Sequence, residues 1–246
     1  MVEYDIADIL EERDLGVFSK MMQGTFEERI GTSRFFRITG TPADLGQVSA
    51  DLGQSTLVEL LEKSPNPHGR SGGWDVRPLP PLKRTALGLE NQRIEFHHMK
   101  FIKNGHLEFW TAIDQYFCWQ QDPVEMKIHP RLYPYAVVEH PLSFVRLYRV
   151  LADYLQIRGD ILFQMQYVNI KGAILLPYQP ESIGFKNPFD PVRPLEENRL
   201  VFERIRFAEG FDPDPSAFAV IKELYYAFGY SREQIPFFDA TSHSSL

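Results

Sequence analysis

Apolar and polar positions along this chain change period several times, and each change marks an element. From Pro141 to Leu155, Phe144, Leu147, Tyr148, Leu151, Tyr154 and Leu155 recur at i, i+3, i+4 and i+7. That spacing predicts an amphipathic helix over about 141–157, with Pro141 in its first turn and Arg158-Gly159 closing it. A second stripe (Ala217, Val220, Ile221, Leu224, Tyr225, Phe228) predicts a helix over 214–228, with Asp214 as N-cap, Pro215 in the first turn and Gly229 as terminator. Ile161 to Asn169 alternates instead: Phe163, Met165 and Tyr167 take one face, Gln164 and Gln166 the other, so it reads as a strand.

The richest strand signal is Arg93 to Ile113, two aromatic-rich runs around Asn104-Gly105. Asn-Gly suits a type I′ turn, because both central residues there need positive φ. A β-hairpin is therefore expected, followed by a third strand near Tyr116–Trp119. Ile94 and Phe96 share one parity whereas Met99 and Phe101 share the other, which fits a bulge or a strand covered on both faces. Ser33–Thr39, Ala173–Leu176 (after a Lys171-Gly172 turn) and Arg199–Phe207 read as further strands. Ile6, Ile9 and Leu10, then Phe18, Met21, Met22 and Phe26, sit at helical spacing, and Ser55 or Thr56 caps a helix to Leu61.

Ser64 to Pro81 is rich in Pro, Gly and Ser, and reads as a connection anchored on the sheet by Trp74. Pro177–Pro194 is a proline-studded loop. Strands arrive as hairpins rather than alternating with helices, so the expected class is α+β: a mostly antiparallel or mixed sheet, two principal packed helices and a small helical N-terminal extension. The domain reading is residues 1–65 as that extension, 66–240 as the main α+β domain and 241–246 as a frayed tail.

A net charge of −7 over 246 residues argues against a general phosphate-backbone binder. The single cysteine, Cys118, excludes an internal disulfide and a multi-thiolate zinc site, and fits the cytosol. No apolar run reaches bilayer-spanning length and the acidic first residues lack a secretory start, so no membrane partner is expected. The sequence carries neither a phosphate-loop signature nor a Gly-x-Gly-x-x-Gly fingerprint, and no cofactor is expected.

Three sets of residues carry candidate chemistry. Asp114 with Glu125 and Lys127 echoes the Asp…Glu-x-Lys pattern of metal-dependent nucleases, in which two carboxylates hold Mg²⁺ and a lysine steers the attacking water. If Glu125 and Lys127 lie on a strand, they share a face. Arg131, Arg146, Arg149 and Arg158 could form a basic face gripping single-stranded nucleic acid. Trp74, Phe109, Trp110 and Trp119 are candidate interface aromatics, though aromatics of this kind are also core residues. His97 and His98, adjacent on a strand, point to opposite faces and cannot chelate a metal together, and only a suitable register brings one to His106. Cys118, between Phe117 and Trp119, reads as a buried, inert thiol.

Arg93-Ile94-Glu95-Phe96 with Lys103-Asn104-Gly105-His106-Leu107-Glu108-Phe109, then Val168-Asn169-Ile170-Lys171-Gly172, then Tyr226-Ala227-Phe228-Gly229-Tyr230 give an order that resembles the C-terminal accessory region of bacterial Schlafen/AlbA-like regulators. Those proteins are described as DNA-binding or ATP-binding. The family's N-terminal module, with its acidic and lysine motif, has no counterpart in residues 1–65, so its chemistry does not carry over. The resemblance implies a non-enzymatic accessory or sensor domain, self-associating or bound to a protein partner, in bacterial regulation or defence. A nucleic-acid-binding module is the alternative, and a metal-dependent nuclease the third reading.

Overall fold

A computed structural model describes residues 15–63, 74–78, 81–91, 96–118, 121–177 and 194–236. The fold is α+β. Its main sheet has eight strands: β1 (Phe35–Pro42), β2 (Lys83–Arg84), β3 (Gly88–Glu90), β4 (His97–Ile102), β5 (Leu107–Ala112), β7 (Ile161–Val168), β9 (Arg199–Val201) and β10 (Ile205–Phe207). The order is β10-β7-β1-β5-β4-β3-β2, with β9 pairing the other end of β7, and every pair is antiparallel. The helices are α1 (Leu15–Ile30), α2 (Ser55–Lys63), α3 (Ile113–Tyr116), α4 (Pro123–Ile128), α5 (Pro134–Tyr154) and α6 (Pro213–Ala227). A small parallel pair joins β6 (Arg131–Leu132) to β8 (Ile174–Leu175). Among the described residues no helix is long and apolar enough to cross a membrane.

The centre of the sheet is β1, held by β5 on one side and β7 on the other. The described part of residues 1–65 thus supplies the middle strand of the main sheet. All eight residues of β1 are buried, as are all six of β4 and of β5. These strands are covered on both faces, which explains why their alternation is weak in the sequence. Phe36, Ile38, Phe109, Phe163 and Tyr167 meet α5 and α6, with Phe144 and Tyr148 of α5 packing on Phe163. The opposite face carries Phe35, Trp110 and Val168 under Phe26 and Ile30 of α1.

Several expectations are corrected. The Asn104-Gly105 turn is not type I′: only Gly105 has positive φ, and Gly105 N–H donates to Ile102 O while Ile102 N–H donates to His106 O. This is the three-residue hairpin connection that ends in a left-handed glycine. The strand expected at Tyr116–Trp119 is the short helix α3 as far as Tyr116, and Trp119 lies outside the described residues. Helix α5 begins at Pro134, not Pro141, and runs through Pro141 without ending. It stops at Gln156, whose left-handed φ allows Ile157 N–H to reach Ala152 O and Gln156 N–H to reach Asp153 O. For α6 the cap is Asp212 and the first-turn proline Pro213, two residues earlier than expected. The strand after Gly172 pairs in parallel with β6 instead of returning along β7. Arg199–Phe207 divides into two short strands. The tail 241–246, most of Pro177–Pro194 and Arg93–Glu95 lie outside the described residues.

Candidate functional site

The face of the sheet under α1 is unusual for a protein interior because it is charged. Alternate positions of β1, β4 and β5 bring Arg37, Thr39, Thr41, His98, Lys100 and Glu108 to it, each buried. At its centre Arg37 and Glu108 form an ion pair, 3% and 2% exposed. Arg37 Nε donates to Glu108 Oε2 at 3.1 Å and Nη2 donates to the same oxygen, while Nη1 donates to Gln23 Oε1 of α1 at 2.6 Å. Gln166 Nε2 of β7 donates to that same Gln23 oxygen at 3.0 Å. The Phe26 ring lies over the guanidinium, with its centroid 4.9 Å away.

Beside this pair, His106 is fully enclosed, with Phe18 of α1 edge-on to its ring. Its Nδ1 shares a 2.7 Å hydrogen bond with Thr41 Oγ1, and its Nε2 stands 3.7 Å from Glu108 Oε2 without a hydrogen-bond partner among the described residues. Burial lowers the His106 pKa and keeps the ring neutral, against the pull of Glu108. Burial acts on Glu108 in the opposite sense, but the Arg37 guanidinium overrides it and holds the carboxyl well below the usual range.

The same layer continues toward the β3 edge. Glu90 faces Lys100 across the β3–β4 pair, and Lys100 faces Glu108 across β4–β5. His98, fully buried and stacked obliquely on Trp110, lies 3.7 Å from Glu90 Oε2, with Arg29 of α1 3.9 Å from that oxygen. The His98 contact leads the lowering of the Glu90 pKa, against burial and with help from Lys100 and Arg29. Among the described residues neither ring nitrogen of His98, nor Trp110 Nε1, has a hydrogen-bond partner. A hollow remains where α1 crosses β1 and β7, lined by Phe18, Ser19, Thr39, His106 and Leu162 and by Arg204 from the turn between β9 and β10.

The residues singled out in the sequence sit elsewhere. Arg34 occupies the nuclease-like trio: its Nη1 binds both oxygens of Asp114 (3.1 and 3.2 Å) and its Nη2 donates to the backbone oxygen of Lys127 at 2.9 Å. Glu125 is on helix α4, not a strand, and pairs with Arg131 at 3.1 Å. A guanidinium thus fills the place beside Asp114 that a cation would take, and Glu125 is turned to a different arginine. Each arginine of the supposed basic face has a carboxylate of its own: Arg131 with Glu125, Arg146 with Asp214 through two 2.6 Å bonds, Arg149 with Asp153, and Arg158 with Glu209 at 2.6 Å.

Phe109 and Trp110 are 0% and 1% exposed, internal to the fold, so they present no surface to a partner. Trp74 is half-buried, stacks on His140 and donates its backbone N–H to Glu139 at 2.7 Å, anchoring its segment on α5. His97 and His98 do face opposite ways, against Phe109 and Trp110 respectively. Among the described residues no group of three or more His, Cys, Asp and Glu is placed to hold a metal. Cys118 is buried, and burial, aided by Asp114, pushes its thiol up to about 12, far from a reactive thiolate.

The sequence does carry a signal for the charged layer: Arg37, Lys100 and Glu108 each stand singly between two large apolar residues of a strand. A lone charge in such a run is buried when both faces are covered. Compared with family models, with curated proteins and with solved structures, the chain matches none.

Proposed function

We propose that this chain is a non-enzymatic sensing and interaction domain, in which α1 on its charged seat is the responsive element. The observation that carries this reading is the layer Arg37–Glu108–His106 buried beneath a single helix. Taking charges out of water costs several kcal/mol per ion, and only good pairing offsets it. A helix seated on such a layer gains less from docking than one seated on hydrocarbon, so modest ligand energies shift its equilibrium. Of the candidate catalytic groups, Asp114 and Glu125 are each paired with an arginine, and the Cys118 thiol is held inert. This favours binding over turnover. Assembly in bacterial regulation or defence is the setting that the resemblance to Schlafen/AlbA-like accessory regions implies.

Hydrogen exchange on the full chain tests the reading. The expected result is that α1 amides exchange at least about tenfold faster than those of β1, β5 and β7, by opening of α1 alone. They then slow when a macromolecule-free extract of the host cells is added. Exchange in α1 as slow as in the central strands, unmoved by the extract, overturns it.

A further inference from the structure

The hollow beneath α1 has a definite chemical character. Among the described residues no acidic side chain lines it, whereas two arginines, Arg37 and Arg204, and His106 do. Arg37 is neutralised from behind by Glu108, and His106 spends Nδ1 on Thr41. Arg204 has no carboxylate, hydrogen-bond or ring partner among the described residues, and it is exposed at the mouth. The turn that carries it is held to β7 two residues earlier: Phe202 N–H donates to Met165 O at 3.1 Å, and Gln164 Nε2 donates to Phe202 O at 3.3 Å. Ser19, Thr39, Thr41 and Gln164 line the same space as neutral polar residues, and Leu15, Phe18, Met22 and Leu162 are its apolar part. The buried His106 is part of its wall, and His106 Nε2 has no hydrogen-bond partner among the described residues.

We infer that this hollow is a binding site for a small monocarboxylate with a short apolar body. Arg204 takes the carboxylate through two parallel N–H donors, a geometry that guanidinium offers and ammonium does not. Ser19 and Thr39 supply neutral donors to the same head group. One unpartnered guanidinium matches the single charge of a carboxylate better than the near-double charge of a phosphate. The apolar body lies along Leu15, Phe18 and Leu162 toward solvent. This inference rests on the sensing role proposed above and gives it a ligand class: a carboxylate bridging α1 to the β9–β10 turn closes the helix on the sheet.

Titration calorimetry of the full chain with butyrate, butyramide and inorganic phosphate at constant ionic strength is the test. Butyrate is expected to bind with roughly millimolar affinity, as suits so few atoms, and butyramide and phosphate at least about tenfold more weakly. Arg204→Gln should weaken butyrate at least about tenfold, Arg204→Lys should restore only part of it, and Arg206→Gln, which alters an exposed arginine paired with Asp160, should leave it unchanged. Equal binding of butyrate and butyramide, tighter binding of phosphate, or indifference to Arg204→Gln each overturns the inference. If butyrate fails while the host extract still protects α1, the ligand class is wrong and the sensing role stands. If the extract has no effect on α1, the sensing role falls whatever butyrate does.

Discussion

At the residue scale the consequence of burying titratable groups is acid sensitivity. His97 lies between Phe109 and Tyr116, and burial brings its pKa from 6.5 down to about 4. In the unfolded chain the ring takes a proton near pH 6.5, whereas in the folded chain it does so only near 4, so acidification through that window favours the unfolded chain. The linkage amounts to about 3 kcal/mol for this group, and His106 adds to it with the same sign. Glu108 acts lower: its depressed carboxyl stabilises the fold above the ordinary carboxylate range, and that contribution is lost progressively as pH falls below it. Urea unfolding at pH 7, 5.5 and 4.5 should therefore give falling stability, with His97→Phe flattening the part of the slope between 6.5 and 4. Equal slopes in both proteins would place the proton uptake elsewhere. This behaviour was only partly legible in the sequence. Adjacent histidines on a strand must face opposite ways, but whether both faces are covered depends on α1 and α5, which lie far along the chain.

At the scale of elements, legibility followed amphipathicity. The body of α6 and the strand β7 are readable because one side of each is polar. The first two turns of α5 are not, because Ala136, Val137, Val138, Glu139 and His140 are all buried and leave no polar face to set a period. Pro141 then looks like a beginning although it lies inside the helix. The end of α5 differs from the pattern for a related reason: Gln156, not a glycine, takes the left-handed conformation that ends the helix, and the left-handed Gly159 lies three residues further on. The pairing of β3 with β4 rests on a contact that only glycine permits. A Cβ on Gly88 would lie 1.8 Å from the carbonyl oxygen of Phe101, a backbone atom fixed by the β4–β5 pair. Gly88→Ala is expected to cost about 1–3 kcal/mol and to detach β3 and β2 from the sheet. Raised amide exchange at Leu89 and Glu90, with β5 unaffected, would report it, and a neutral substitution would contradict the strand placement.

For the whole molecule the decisive feature is that β1 lies between β5 and β7. Composition and local pattern place Ser33–Thr39 as a strand, but nothing local says that its partners lie near residues 110 and 165. A boundary near residue 65 looks natural because the segment that follows is rich in Pro, Gly and Ser. A chain starting at residue 66 would lack the middle strand of its sheet and the whole of α1. It is expected to lose cooperative urea unfolding and dispersed amide resonances, and a well-folded fragment would refute the central position of β1. The same arrangement bears on how the protein is made. During synthesis Phe35 leaves the ribosome about 130 residues before Val168, its partner on β7. At about 5–20 residues per second that is a wait of roughly 7–27 s. Throughout it, the β7 edge of an apolar strand is held open to whatever chain or chaperone reaches it first, and until Ala112 emerges the β5 edge is open as well.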